Sequence, residues 1–178
     1  ESVLIFTRTK HRAKRLGEQL GKAGYRASSL QGNLSQGQRQ AVMNGFRNGT
    51  FQILVATDIA ARGIDVTQIS HVINYDMPDS MDSYTHRIGR TGRHTKTGDA
   101  FTLITPEDKD MVRRIENVLR GQVKRCLLDG FDYKKPAAGR DLESARPWRQ
   151  PEATGERPAG QFAKHRARVR SFSSSKRY

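Results

Sequence analysis

Residues 51–65 read Phe51-Gln52-Ile53-Leu54-Val55-Ala56-Thr57-Asp58-Ile59-Ala60-Ala61-Arg62-Gly63-Ile64-Asp65. Phe51 to Ala56 has the near-continuous apolar content of a strand buried on both faces, so Thr57 and Asp58 fall at its carboxyl end. Working outward, Val3 to Phe6 and His71 to Tyr75 are similar runs, Arg26 to Leu30 is extended, and Asp99 to Ile104 predicts a further strand. Helical periods lie between them. Thr9 offers an N-cap to a helix with Ala13, Leu16, Leu20 and Ala23 on one face, stopped by Gly24; Ser35 caps a second, carrying Val42, Met43 and Phe46 and closed by Gly49. Asp82 to Arg87 predicts a short helix after Pro78. Thr105-Pro106-Glu107-Asp108 supplies the cap, first-turn proline and acidic first turn of a helix to Arg120. Val123 to Leu127 is expected as a last short strand, with Cys126 a small residue in its core. Strand and helix alternating in this way predict an α/β fold, a parallel sheet with helices on both faces. Crossovers are then right-handed, and ligands sit beyond the carboxyl ends of the strands.

The composition narrows the function classes. The 178 residues carry 32 Lys plus Arg against 18 Asp plus Glu, a formal charge of +14, with a single Cys. One cysteine cannot form an internal disulfide or a four-Cys zinc site, and no apolar run approaches the roughly 18 residues that span a bilayer. There is no signal-peptide pattern, and the cytoplasm is the expected compartment. The charge divides evenly, +7 in residues 1–130 and +7 in 131–178. In the latter stretch Leu142 and Val169 are the only Ile, Leu, Val or Met, too little apolar area to offset the ordering entropy of its backbone. Residues 1–130 therefore read as one domain and 131–178 as a flexible basic tail. Its densest cluster, Lys164 to Arg170, lies among Trp148, Phe162 and Phe172, which suits loose stacking and phosphate contact on RNA. Such an excess of cations favours a polyanionic partner without naming it.

Two segments carry chemistry. His86-Arg87-Ile88-Gly89-Arg90-Thr91-Gly92-Arg93 sets three arginines at three-residue intervals among glycines that let a ligand approach the backbone. Guanidinium forks match phosphate oxygens bidentately and keep their charge at any working pH. In the first-quoted stretch, Thr57 and Asp58 are either a turn or helix cap or a ligand-holding pair. Gly63 permits a positive backbone dihedral and puts the Asp65 carboxylate where it can accept from a sugar hydroxyl. Lys10, Arg12, Lys14 and Arg15 make a basic helix start, either a solvated face or an RNA-flanking patch. His71 and His94 have no second ligand at metal spacing.

ATDIAARGIDV and HRIGRTGR, in this order and separation, resemble helicase motifs V and VI of the DEAD-box RNA helicases. VLIFTRTK (residues 3–10) resembles motif IV, and Gln36-Gly37-Gln38-Arg39 fits the Q-x-x-R element between. TRTKHRA and the Gly130-Phe131-Asp132-Tyr133 exit look most like the bacterial RhlE-type branch. The likeness covers residues 1–133 and stops before the tail. It implies the second of two RecA-like domains, with ATP between them and single-stranded RNA across both. By that resemblance Arg90 and Arg93 are arginine fingers to the γ-phosphate, and Asp65, supported by Gly63, binds the ribose. Thr9, the Gly32 backbone, Arg39 and Thr57 hold RNA phosphates. Gln36 and Arg62 couple the two faces, and His86 and Arg87 make interdomain contacts. Gln31 stands where the family usually has His before the glycine, one neutral donor for another. The chain lacks a G-x-x-x-x-G-K-[ST] loop and an Asp-Glu-Ala-Asp element, so the phosphate cradle and the Mg²⁺ carboxylate belong to an N-terminal RecA-like domain of the same protein. With Glu1-Ser2 leading directly into a strand, a fragment is expected, inactive alone. The competing expectations are a superfamily 2 DNA helicase, whose motif VI more often opens with Gln than His86, and a stand-alone nucleic-acid-binding module. Ribosome-assembly or RNA-decay factors are the partners that the RhlE-like resemblance suggests.

Overall fold

The computed structural model describes residues 1–62, 64, 69–92, 98–133 and 135. Five strands form one sheet: β1 (Val3–Phe6), β2 (Ala27–Leu30), β3 (Ile53–Ala56), β4 (His71–Asn74) and β5 (Asp99–Thr102). Their order is β2-β3-β1-β4-β5, and all four pairings are parallel. The helices are α1 (Lys10–Lys22), α2 (Gln36–Arg47), α3 (Asp58–Ala61), α4 (Met81–Ile88) and α5 (Lys109–Leu119). The expected α/β architecture with a parallel sheet is therefore present, and the last strand is not.

The inner strands β1 and β3 bury alternate residues on opposite faces, which is why their sequences are apolar throughout, whereas the edge strand β5 is exposed. Leu4, Phe6, Leu30, Leu54, Ala56 and Val72 meet Met43 and Phe46 of α2 and Ala60 and Ala61 of α3. On the other face Ile5 and Val55, with Val3, Ile53 and Ile73, meet Ala13, Leu16 and Leu20 of α1. Gly17 is needed there because a Cβ would lie 3.1 Å from the Ser29 Cβ, so α1 sits close on β2. A third cluster joins α4 to α5 through Met77, Tyr84 and Ile115. Burial pushes the Tyr84 hydroxyl pKa up. Each fully buried large aliphatic side chain in these clusters stabilises the fold by about 1.5–3 kcal/mol.

The helix boundaries follow the sequence signals. Thr9 accepts from the Arg12 N–H at 3.2 Å, and Ser35 and Gln38 cap α2 reciprocally, at 3.3 and 2.9 Å. Gly24 and Gly49 take φ of 89° and 79°, which a side chain would resist. The turn at Thr105 is tighter than expected. Pro106–Asp108 is a 3₁₀ turn closed by the Asp108 carboxylate, which accepts from the Thr105 N–H and hydroxyl, both at 2.7 Å. Residues 123–127 form no strand: the Val123 N–H donates to Glu116 of α5 at 3.3 Å and Arg125 pairs with the same carboxylate at 3.7 Å. Their apolar positions, Val123, Cys126 and Leu127, do not alternate, so no register gives them one buried face. Cys126 is accordingly exposed rather than in a core.

The chain divides into two compact units, Glu1–Cys126 and Leu127–Tyr178. In the second, the Leu128 N–H donates to the Tyr133 hydroxyl at 2.8 Å, and Phe131 meets Tyr133 edge-on at 4.8 Å. Of the expected tail, residues 134 and 136–178 lie outside the described residues. Among the described residues no helix is long and apolar enough to cross a membrane.

Candidate phosphate-binding edge of the sheet

The connection from β1 runs one way along the sheet, to β2, and that from β4 runs the other, to β5. Ligand sites in open α/β sheets lie beyond the carboxyl ends of strands at such a reversal. Here that edge displays Thr7 to Thr9, Gln31 and Gly32, Thr57 and Asp58, and Tyr75 and Asp76. Of the residues singled out from the sequence it thus holds Thr9, Gly32, Thr57 and Asp58.

Thr9 and Thr57 both act as N-caps. The Thr57 hydroxyl accepts from the Ala60 N–H at 3.4 Å and so starts the one-turn helix α3. Gly32 is exposed, and a Cβ there would meet nothing within 4 Å, so this chain leaves its backbone open to approach. Gln31 is buried and shapes the turn, its amide oxygen accepting from the Asn33 N–H at 2.7 Å. Lys10 reaches the same loop, donating to the Asn33 side chain at 3.0 Å. Gln36, Arg62 and His86 are exposed, and His86 stands 4.0 Å from Asp82. Arg39, one turn into α2, donates to the Ala60 carbonyl at 2.6 Å and more weakly to that of Arg62 at 3.5 Å. A shallow groove beside it is lined by Gln36, Arg39, Gln40, Met43, Arg47 and Ile64.

Arg87 is only 3% exposed, and it organises this edge from inside. Its Nε and Nη2 donate to the two oxygens of Asp58, each at 2.7 Å. Nη1 donates to the Asp76 carbonyl at 2.8 Å and to the Asn74 side chain at 3.3 Å, and the guanidinium carbon stands 5.1 Å from the Phe6 ring centroid. Asn74 in turn donates to the Thr102 hydroxyl at 3.0 Å. One guanidinium thereby joins the ends of β1, β3, β4 and, through Asn74, β5. Another acid, the buried Asp76, accepts from the Arg8 N–H at 2.8 Å and pairs with Arg12, which also lies over the Tyr75 ring. Arg12 is therefore held in the fold rather than on a solvated basic face.

Arg90 follows α4 and donates to the Ile64 carbonyl at 3.1 Å. Thr91 fixes that turn to the start of β4 by donating to the Ile69 and Ser70 carbonyls, at 2.8 and 3.1 Å. Its side chain fills the space a Cβ at Gly98 would need. Gly63, Asp65 and Arg93 lie outside the described residues. The sequence reading missed the Asp58–Arg87 and Asp76–Arg12 pairs and the part played by Asn74. No local pattern marks them, since the partners stand 29, 64 and 13 residues apart.

A parallel five-stranded sheet in this order with helices on both faces is the RecA-like arrangement of helicase C-terminal domains. Residues 1–95 match the helicase conserved C-terminal domain. The chain is 46% identical over 132 residues to the DEAD-box ATP-dependent RNA helicase CshA of Bacillus licheniformis, covering 74% of this chain and 27% of that protein. It is 43% identical over 159 residues to the RNA helicase CrhR of Synechocystis, covering 89% and 32%. Among solved structures, the E. coli DEAD-box protein SrmB, bound to the regulator of ribonuclease activity A, superposes with a TM-score of 0.70 at 36% identity, covering 77% of this chain and 81% of that one. The chain belongs to the DEAD-box RNA helicase family and comprises its helicase conserved C-terminal domain. It spans roughly a quarter to a third of the length of these curated relatives.

Proposed function

We propose that this chain is the second RecA-like domain of a bacterial, RhlE-like ATP-dependent RNA helicase that opens short RNA duplexes locally. What supports the reading is that Thr9, Gly32 and Thr57 stand beyond the carboxyl ends of β1, β2 and β3, while Arg39 and Arg90 hold carbonyls of the segment after β3, at Ala60 and Ile64. The first four suit successive RNA phosphates, and contacts of that kind carry little sequence preference. Arg90 and Arg93 suit the γ-phosphate of ATP, with Asp65, supported by Gly63, on its ribose. Gln36, Arg62 and His86 are exposed and suit contacts with the N-terminal RecA-like domain. The donor set here is cationic and fits a polyphosphate, not a metal ion. Mg²⁺ would be held with the phosphates by the other domain, where it offsets the charge that develops on the transferred phosphoryl group.

ATP and RNA together then close the two domains and bend one RNA strand out of duplex geometry, and hydrolysis reopens them. The RhlE-like assignment is supported by TRTKHRA and the Gly130-Phe131-Asp132-Tyr133 exit. The protein works in the cytoplasm, and the tail tethers RNA near the domain. Factors of ribosome assembly or RNA decay are the protein partners, in keeping with the SrmB relative bound to a regulator of ribonuclease activity. ATP hydrolysis by the complete protein tests the function directly: RNA stimulates it and single-stranded DNA of the same sequence does not. Equal stimulation by DNA would refute the assignment to RNA. Truncation after Tyr133 lowers RNA affinity and flattens its dependence on salt, because fewer counterions are released; an unchanged slope would remove the tether.

A further inference from the structure

Three arginines, one from α2, one from α4 and one just after α4, converge on the short segment that begins at Asp58. Arg39 of α2 holds the Ala60 carbonyl at 2.6 Å, Arg90 after α4 holds that of Ile64 at 3.1 Å, and Arg87 of α4 grips the Asp58 carboxylate with two bonds of 2.7 Å. Of the three, Arg87 alone is buried, and it is also tied to the sheet through Asn74 and the Asp76 carbonyl. The segment rests on the core through Ala60, Ala61 and Ile64, is fixed at its start by the Asp58 fork, and has two arginines attached to its carbonyls. The Asp58 carboxylate also adjoins Thr57, where an unpaired negative charge would repel a phosphate.

We propose that Arg87 is a positioning residue, not an interdomain contact: by neutralising and anchoring Asp58 it sets α3, which holds Arg39 at the Ala60 carbonyl and, through the Ile64 N–H that donates to the Ala61 carbonyl at 3.1 Å, the Ile64 carbonyl that Arg90 binds. A phosphate that draws Arg39 off the Ala60 carbonyl then changes the support of Arg90, so RNA occupancy is felt at the ATP site through one four-residue helix. The inference rests on the helicase reading above. Its distinguishing requirement is geometry, not charge alone, since a lysine keeps the charge and lacks the planar fork that binds both Asp58 oxygens while reaching Asn74.

The test is RNA-stimulated ATP hydrolysis by the complete protein carrying Arg87→Lys, Asp58→Asn or both. In each single variant kcat falls about tenfold or more, the size of an ordinary coupling energy. RNA affinity measured without nucleotide falls far less than kcat, because Thr9 and Gly32 are untouched, and the deficit persists well below the variant's melting temperature. The double variant is no worse than the poorer single one, as expected for two residues acting through one contact. Should Arg87→Lys fail to fold, Asp58→Asn, which retains an acceptor of the same shape, decides alone. Wild-type kcat in the folded variants overturns the positioning role, as does a deficit that disappears on cooling. A wild-type protein with no RNA-stimulated hydrolysis overturns the helicase reading itself.

Discussion

Arg90→Ala in the complete protein lowers kcat for ATP hydrolysis by about 10³-fold or more, the loss expected when a guanidinium is withdrawn from the charge developing on a transferring phosphoryl group. Arg93→Ala behaves likewise. RNA affinity without nucleotide is retained, because the proposed RNA contacts are Thr9, Gly32, Arg39 and Thr57. Arg90 also holds the Ile64 carbonyl in the ligand-free domain, so its removal frees one backbone acceptor at half-buried depth. That loss is small beside the kinetic one, and the melting temperature separates them. A kcat within a few-fold of wild type would remove Arg90 from the site.

Arg87→Leu has the largest expected effect on stability. It leaves Asp58, the Asn74 amide oxygen and the Asp76 carbonyl without their cation. Removing one partner of a fully buried pair costs about 3–5 kcal/mol. Asp58 is 42% exposed, and water replaces part of what it loses, so about 2–4 kcal/mol is expected here. For a unit of this size that corresponds to a fall of roughly 8–15 °C in melting temperature. Leucine retains most of the volume against Phe6, which makes the loss electrostatic and not a cavity effect. An unchanged melting temperature would mean that the Asp58–Arg87 fork adds no net stability.

The legible part of this molecule is the part governed by neighbours in sequence. Thr9 and Ser35 cap where their hydroxyls precede an apolar period, and Gly24 and Gly49 end helices because φ must turn positive there. Ile53 to Ala56 is apolar on both sides because α1 and α2–α3 cover opposite faces of the sheet. Thr57 and Asp58 were readable only as a choice between cap and ligand pair; the structure shows the cap, at Thr57, and gives Asp58 a partner within the fold, Arg87. Residues 123–127 misled because three apolar side chains among five suggest a strand even when their spacing gives no common face. The candidate site divides in the same way. Arg90 and Arg39 were visible from their spacing beside glycines and a Q-x-x-R element, whereas the burial of Arg87 was not. A motif records that an arginine stands there, and only the sheet order brings Asp58, Asn74 and Asp76 within its reach.

The central claim is that this edge supplies arginines to an ATP held elsewhere. Steady-state ATP hydrolysis, measured with and without single-stranded RNA for residues 1–178 alone and for the complete protein, tests it most directly. The expected result is no turnover by the chain under either condition and RNA-stimulated turnover by the complete protein; RNA-stimulated turnover by the chain alone would contradict it.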